Sequence, residues 1–241
     1  MLKIHNLTKT YGDKKAVDSL NLEIAPGEIY GFIGHNGAGK TTTLKACMGI
    51  LSFDSGDIFI NGTSVVENPI ECKRVTAYIP DNPDLYDFLT GAKYLAFVAD
   101  VYGVDTDTRN KLIKKYADKF ELTKDLASPV GTYSHGMKQK LAIIAALVHS
   151  PKLIVMDEPF VGLDPKAAHS VKSVMRALCD DGCAIFFSTH VLEVAEKLCD
   201  KVAIIKDGKL IKAGTMDEVK GDTSLENVFL EIAEKAGGEH V

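Results

Sequence analysis

The stretch EIYGFIGHNGAGKTTTLKACMGI (28–50) constrains the fold more than any other part of this 241-residue chain. A compact apolar run, EIYGFIG, ends in glycine, and KTTTLKACMGI then carries helical spacing to about Gly49. Between them GHNGAGKT (34–41) meets the pattern G-x-x-x-x-G-K-[S/T] at every fixed position. Glycines let the backbone wind tightly, so that successive N–H groups point at one anion. The helix that follows adds the positive end of its dipole. Gly34, His35, Asn36, Gly37, Ala38 and Gly39 therefore form a phosphate cradle, with Thr42 at its helical end. Lys40 is placed to pair with β- and γ-phosphate oxygens, and the Thr41 hydroxyl to ligate Mg²⁺. A glycine-rich turn matching by chance would lack this strand–loop–helix context.

A loop of this kind needs a carboxylate at the end of a neighbouring strand to hold the magnesium ion. LIVMDEP (153–159) supplies Asp157 after four apolar residues. Asp157 would bind the ion directly or through water. Glu158 follows where the strand has emerged, and would polarise the attacking water. Two carboxylates at the end of a buried strand repel unless a cation or solvent offsets them, which disfavours a purely structural role.

The remaining pattern is that of an α/β chain with a helical insertion. LKIHNL, YGDKK and LNLEIAPGE alternate β-like runs with turns, and SGDIFINGTSV (55–65) carries an Asn-Gly hairpin signal. Together with EIYGFIG these predict a mixed sheet near the N-terminus. From about 85 to 150, TGAKYLAFVADVYGV, TRNKLIKKYADKFEL and MKQKLAIIAALVH repeat apolar residues at helical spacing. From 151 strands and helices alternate again: KLIVMDEP, a helix starting at Asp164 or Pro165, CAIFFSTH, VLEVAEKLCD and an Asp-Gly hairpin in KVAIIKDGKLIKAG. TSLENVFLEIAEKA closes the pattern as an amphipathic helix before a polar end.

Composition narrows the classes. The net charge of −5, with no block of like charge, argues against a nucleic-acid surface. Cys47, Cys72, Cys179, Cys183 and Cys199 contain no C-x-x-C pair, and an odd number leaves one over in any disulfide scheme. Small residues in a reducing cytosol are the expectation. No stretch approaches about eighteen uninterrupted apolar residues, and MLKIHNLTKTYGDKK lacks a signal-peptide layout. A cytoplasmic chain is expected, whose membrane part, if any, comes from a partner.

YSHGMKQK (133–140) sets Ser134 beside His135, but neighbouring side chains point in different directions and rarely share a proton. The other motifs give this stretch a different meaning. In order along the chain, KTYG, GHNGAGKTT, YIPD, YSHGMKQK, LIVMDEP, GLDP (162–165) and FFSTH resemble the motifs of ABC transporter nucleotide-binding subunits. The likeness runs from Tyr11 to about His190. It implies an α/β fold: a P-loop NTPase core with an N-terminal antiparallel β subdomain (together 1–84 and 151–241) and an inserted α-helical subdomain (85–150) carrying the signature motif. It also implies that Tyr11 stacks on adenine, that His190 contacts the γ-phosphate, and that Asp164 bridges two subunits as well as capping its helix. Taken alone, Tyr11 reads as a packing residue and His190 as an ordinary strand-end histidine.

Two positions depart from the pattern. Asp81 stands where the family has a glutamine, one methylene shorter and unable to donate a hydrogen bond, though still able to ligate magnesium. The signature has Tyr133, His135 and Met137 where the family has Leu, Gly and Gln, while Ser134 and Gly136 are retained. Its chemistry, a hydroxyl and backbone amides at a helix N-terminus, suits a γ-phosphate, and His135 adds bulk and an imidazole beside it. YS-x-GM-x-Q, YIPDNPDLYDFLTG and SLENVFLEI are similar to those of ABC-2 exporter ATPases.

The resemblance implies ATP and Mg²⁺ as ligands, transmembrane permease subunits as partners, and a head-to-tail pair with a second ATP-binding subunit on the inner face of the cell membrane. A soluble ABC ATPase acting on ribosomes or DNA is the competing class. It would carry two cassettes or a long coiled-coil insertion, which the chain does not show. A GTPase would need an Asn-Lys-x-Asp reader, which is missing. A decayed regulatory module would not be expected to keep Lys40, Asp157, Glu158 and His190 together.

Overall fold

The computed structural model describes residues 1–237; the polar end expected after the last helix, residues 238–241, lies outside the described residues. β1 (Leu2–Tyr11) and β2 (Lys14–Ile24) form an antiparallel ribbon whose side chains largely alternate between core and solvent, the mark of a sheet with one wet face. β3 (Ile29–Ile33) is buried at every position, as a strand covered on both faces must be. The glycine loop leads from it into α1 (Lys40–Cys47). β4 (Ser55–Ile60) and β5 (Thr63–Ser64) make the expected hairpin, with Asn61 and Gly62 at φ of 51° and 83°, the positive values a tight two-residue turn requires.

α2 (Pro69–Arg74) and β6 (Thr76–Ile79) follow, then α3 (Gly91–Val101), α4 (Thr106–Lys119) and α5 (His135–Leu147). The side chains of Thr90, Asp105 and Ser134 each accept a hydrogen bond from the first-turn amide three residues on, which satisfies one orphan donor per helix. The α/β alternation resumes with β7 (Leu153–Asp157), α6 (Pro165–Asp180), β8 (Ala184–Thr189), α7 (Leu192–Leu198), β9 (Lys201–Lys206), β10 (Lys209–Thr215), α8 (Met216–Lys220) and α9 (Leu225–Gly237). Asp164 caps α6, and Pro165 occupies its first position, where a missing N–H costs nothing.

The strands divide into two sheets, so the single mixed N-terminal sheet expected from the sequence is corrected. β2-β1-β4-β5 is wholly antiparallel, whereas β3 leaves it for a second sheet ordered β10-β9-β3-β8-β7-β6. β1 already has β2 and β4 on its two edges, and a strand buried on both faces belongs in the middle of a covered sheet. β3 pairs in parallel with β8 and β9, β7 pairs in parallel with β8 and β6, and β10 is antiparallel to β9.

Alternation along the second sheet sorts its side chains into two cores. Ile29, Ile33, Ile154, Met156, Ile185 and Phe187 face a cluster that also contains Leu95, Ala99, Tyr116, Phe120 and Leu141 from α3, α4, α5 and the turn between them. Tyr30, Phe32, Val155 and Phe186 face the opposite cluster, shared with the antiparallel sheet and with Leu44 of α1. The helical stretch is therefore packed on the sheet through one continuous apolar cluster. The five cysteines are free and buried, and burial raises the thiols of Cys47, Cys179 and Cys183 to about 12, consistent with inert packing residues.

Phe186 is fully buried, with its ring 5.4 Å from Phe32 and 6.1 Å from Tyr30 between centroids. Phe186→Ala should lower unfolding stability by about 3–5 kcal/mol. Denaturant titration of the two proteins measures this, and an unchanged midpoint would contradict the assignment of that core.

Candidate active site

The parallel strands deliver their C-terminal ends to one edge of the sheet, where ligands gather in folds of this type. β3 ends at the glycine loop, β7 at Asp157, β8 just before His190, and β6 two residues before Asp81. Ile33 is level with Thr189, and Asp157 with Ser188.

Close approach explains the loop's glycines. A Cβ at Gly34 would lie 2.5 Å from the Ile205 carbonyl oxygen, and one at Gly39, with φ at 107°, would collide with the Ala16 carbonyl. The Ala38 amide donates to the His35 carbonyl over 3.1 Å, and the Ala38 carbonyl accepts from Gly208 at 3.0 Å. The second bond pins the loop to the β9–β10 hairpin, and the close approach of Gly39 to Ala16 seats it against the β1–β2 ribbon. The His35 ring packs on Phe229 of α9 with centroids 4.6 Å apart. Lys40 is only 6% exposed, and its ammonium donates to the carbonyls of Gly34 at 2.6 Å and His35 at 3.3 Å.

Asp157 is 2% exposed and has both oxygens engaged. Oδ2 accepts from the Thr41 hydroxyl at 2.7 Å, and Oδ1 accepts from the Ser188 hydroxyl at 2.5 Å. Ser188 Oγ in turn accepts the Glu158 amide at 3.0 Å. Glu158 has φ at 47°, a left-handed backbone that costs about 1–3 kcal/mol in a non-glycine residue. That turn points its carboxylate at two nitrogens: Oε1 lies 3.0 Å from His190 Nδ1 and 3.5 Å from Lys40 Nζ. Despite these neighbours Oε1 is buried without an aligned hydrogen bond.

A cavity of about 480 Å³ brings together Tyr11, His35, Asn36, Gly37, Gly39, Lys40, Thr41, Thr42, Asp81, Asp157 and Glu158. Gly34 and Ala38 lie in the loop behind it. Tyr11 is half-exposed at its lip, with Lys9 Nζ 5.3 Å from the ring centroid. Asp81 is exposed, and its Oδ1 accepts the Asn82 amide at 2.8 Å. Ser134 and Gly136 are not part of this cavity. They sit at the start of α5, where Ser134 is exposed and its hydroxyl caps the Met137 amide at 3.3 Å. The substituted Tyr133 is buried: its hydroxyl donates to the Asp125 carbonyl at 2.6 Å and lies against Gly91, where a Cβ would overlap it.

Sequence reasoning missed Lys14 and Ala16, which line the cavity from the β1–β2 ribbon, and Ser188, which joins the two carboxylate residues. Ser188 directly follows the apolar run AIFF, with Thr189 beside it, and nothing local in the sequence sets its hydroxyl apart. It also missed Tyr78, whose hydroxyl is buried without a hydrogen-bond partner. Burial, with the nearby charges of Asp157 and Asp81, pushes that phenol well above its ordinary range.

Residues 17–161 match the family model described as ABC transporter. The chain belongs to the ABC transporter ATP-binding family. It is 32% identical to the ABC-type transporter ATP-binding protein EcsA of Bacillus subtilis (strain 168), over 99% of this chain and 98% of that protein. It is 37% identical to the bacitracin transport ATP-binding protein BcrA of Bacillus licheniformis, over 91% of this chain and 71% of that one. A solved ATP binding subunit of an ABC transporter superposes with a TM-score of 0.93 at 33% identity, covering 97% of this chain and 99% of that one. The chain is thus an ABC ATP-binding subunit, a P-loop NTPase that binds and hydrolyses ATP.

Ser188→Ala removes one hydrogen bond to each of Asp157 and the Glu158 amide. It should cost about 1.5–3 kcal/mol, the range for bonds to charged groups, and slow ATP hydrolysis. Unfolding and steady-state turnover that both match the parent protein would contradict the bridging role.

Proposed function

We propose that this chain is the motor subunit of an exporter of the ABC-2 type, and that two copies, or one copy and a related subunit, close head to tail around two ATP molecules. The observation that carries this reading is the grouping of Glu158, Lys40 and His190 at the phosphate loop, with the exposed Ser134 turn outside its own cleft. In this reading Tyr11 stacks on adenine, and the amides of residues 34–39 with Thr42 cradle the phosphates. Lys40 offsets charge on the β- and γ-oxygens, and His190 contacts the γ-phosphate. Glu158 accepts the proton of the attacking water. Ser134 and the Gly136 amide complete the site of the partner subunit.

The residues fit a magnesium ion. Thr41 Oγ1 and the Asp157 carboxylate are hard oxygen donors already 2.7 Å apart, and Asp81 borders the same cavity. Among the described residues no group of three or more His, Cys, Asp or Glu forms a self-sufficient metal cage. Magnesium needs none, since it takes one or two protein ligands beside water and nucleotide phosphates. When bound, the ion neutralises charge on the β- and γ-phosphate oxygens.

Among the described residues no helix is long and apolar enough to cross a membrane, so permease subunits would supply the pathway. We place the chain on the inner face of the cell membrane. Residues 1–84 and 151–241 act as the core, and 85–150 as the helical part that meets the permease. Phe88 is 81% exposed, and Tyr86 lies 5.9 Å from it and 5.7 Å from the exposed Phe97, by ring centroids. An apolar patch of this kind, starting five residues after Asp81 in the chain, suits a docking surface.

Glu158→Gln should retain ATP binding, lower turnover by about 10²–10⁴-fold, and double in mass when ATP is added. Light scattering with a steady-state assay tests both parts. Near-parent hydrolysis would remove Glu158 as the base, and a strictly monomeric protein would remove the closed pair.

A further inference from the structure

The histidine in YSHGMKQK does not turn toward the cavity of its own chain. The His135 ring lies against Gly162, the glycine that opens GLDP, whose φ is +76°. A methyl group at Gly162 would sit 2.9 Å from His135 Nε2 and overlap Cδ2. The next residue closes on the same place, since a Cβ at Gly136 would lie 3.2 Å from the Gly162 carbonyl oxygen. Two consecutive residues at the start of α5 therefore pack on one glycine.

Gly162 is only four residues beyond Glu158, and the intervening loop is braced. The Val161 amide donates to the Glu158 carbonyl at 3.2 Å, and the Leu163 amide to the Phe160 carbonyl at 3.4 Å. The Phe160 ring meets Phe187 edge-on, with centroids 5.8 Å apart, and Lys172 Nζ lies 5.6 Å from its centroid. Asp164 Oδ1 accepts the Ala167 amide at 2.8 Å and anchors the far end. A shift of Gly162 thus has a short, hydrogen-bonded route to the left-handed backbone of Glu158.

We propose that His135 is a positioning residue: its ring is a strut between the signature turn and Gly162, and sets Glu158 through the 158–164 loop. The inference rests on the reading of Glu158 as the base and Ser134 as the partner-facing hydroxyl. When the start of α5 meets the nucleotide of a second subunit, the strut carries that displacement to Glu158. His135 and Gly162 are both exposed, so the displacement passes through this one ring-to-backbone contact and not through a packed interior. This role asks of residue 135 a filled volume rather than a charge, and of residue 162 the absence of a side chain.

The test is a double-mutant cycle on the full-length chain. H135A, H135F, G162A and H135A/G162A are compared for kcat, KM, ATP affinity by calorimetry and melting temperature. H135A should leave ATP affinity within about twofold while lowering kcat several-fold, within the roughly 2- to 100-fold spanned by couplings of contacting residues. H135F, which refills the volume, should return most of kcat. G162A should lower kcat less in the H135A background than in the parent, because its methyl no longer meets a ring. Unchanged kcat in H135A, an equal effect of G162A in both backgrounds, or H135F as slow as H135A would overturn the strut. Glu158→Gln run beside them separates the two readings. If it turns over normally, the assignment of the base fails, whatever the cycle shows.

Discussion

A carboxylate held almost out of water at the end of a central strand sets the terms for everything around it. Burying such a group is costly unless hydrogen-bond donors meet it, and Asp157 has a hydroxyl at each oxygen. One hydroxyl belongs to Thr41 at the first turn of α1, the other to Ser188 on the neighbouring strand. These bonds fix the phosphate-loop helix to the sheet and β7 to β8 at the level of the chemistry. Ser188 also holds the Glu158 amide, so the strained residue that aims the second carboxylate is tied to the same centre. The left-handed turn at Glu158 is tolerable because that amide, Lys40 and His190 all specify its geometry.

Much of this was legible in the residues. GHNGAGKT, LIVMDEP and FFSTH each announced a strand running into a polar end, and the structure sets the three side by side. The helical spacing between 85 and 150 corresponds to α3, α4 and α5. What escaped was short or depended on partners distant in sequence. TAYI, four residues long, has no readable period yet is the edge strand that leads to Asp81. β3 read as a neighbour of the N-terminal strands because pairing is decided by which edges are free, a property of the assembled sheet. The Ser188 bridge spans 31 residues to Asp157, and no local pattern marks it.

The two departures from the family's motifs have different physical settings. Asp81 remains at the border of the cavity, its carboxylate occupied by the next backbone amide and open to solvent. The altered signature is built inward as well as outward. Tyr133 turns into the helical region and demands glycine at position 91, while His135 rests on Gly162 and demands glycine there. The serine between them is left exposed at a helix N-terminus, outside its own chain's cleft. That separation is the structural argument for a site shared between two subunits.

A complementation assay tests that shared site most directly. A Lys40→Ala chain lacks a working phosphate loop, and a Ser134→Arg chain lacks a working signature turn, so neither should hydrolyse ATP alone. Mixed, they form a pair in which the intact loop of one faces the intact signature of the other. The account predicts that steady-state turnover reappears in the mixture. A mixture no more active than the two separate variants would contradict a shared site built from two copies of this chain.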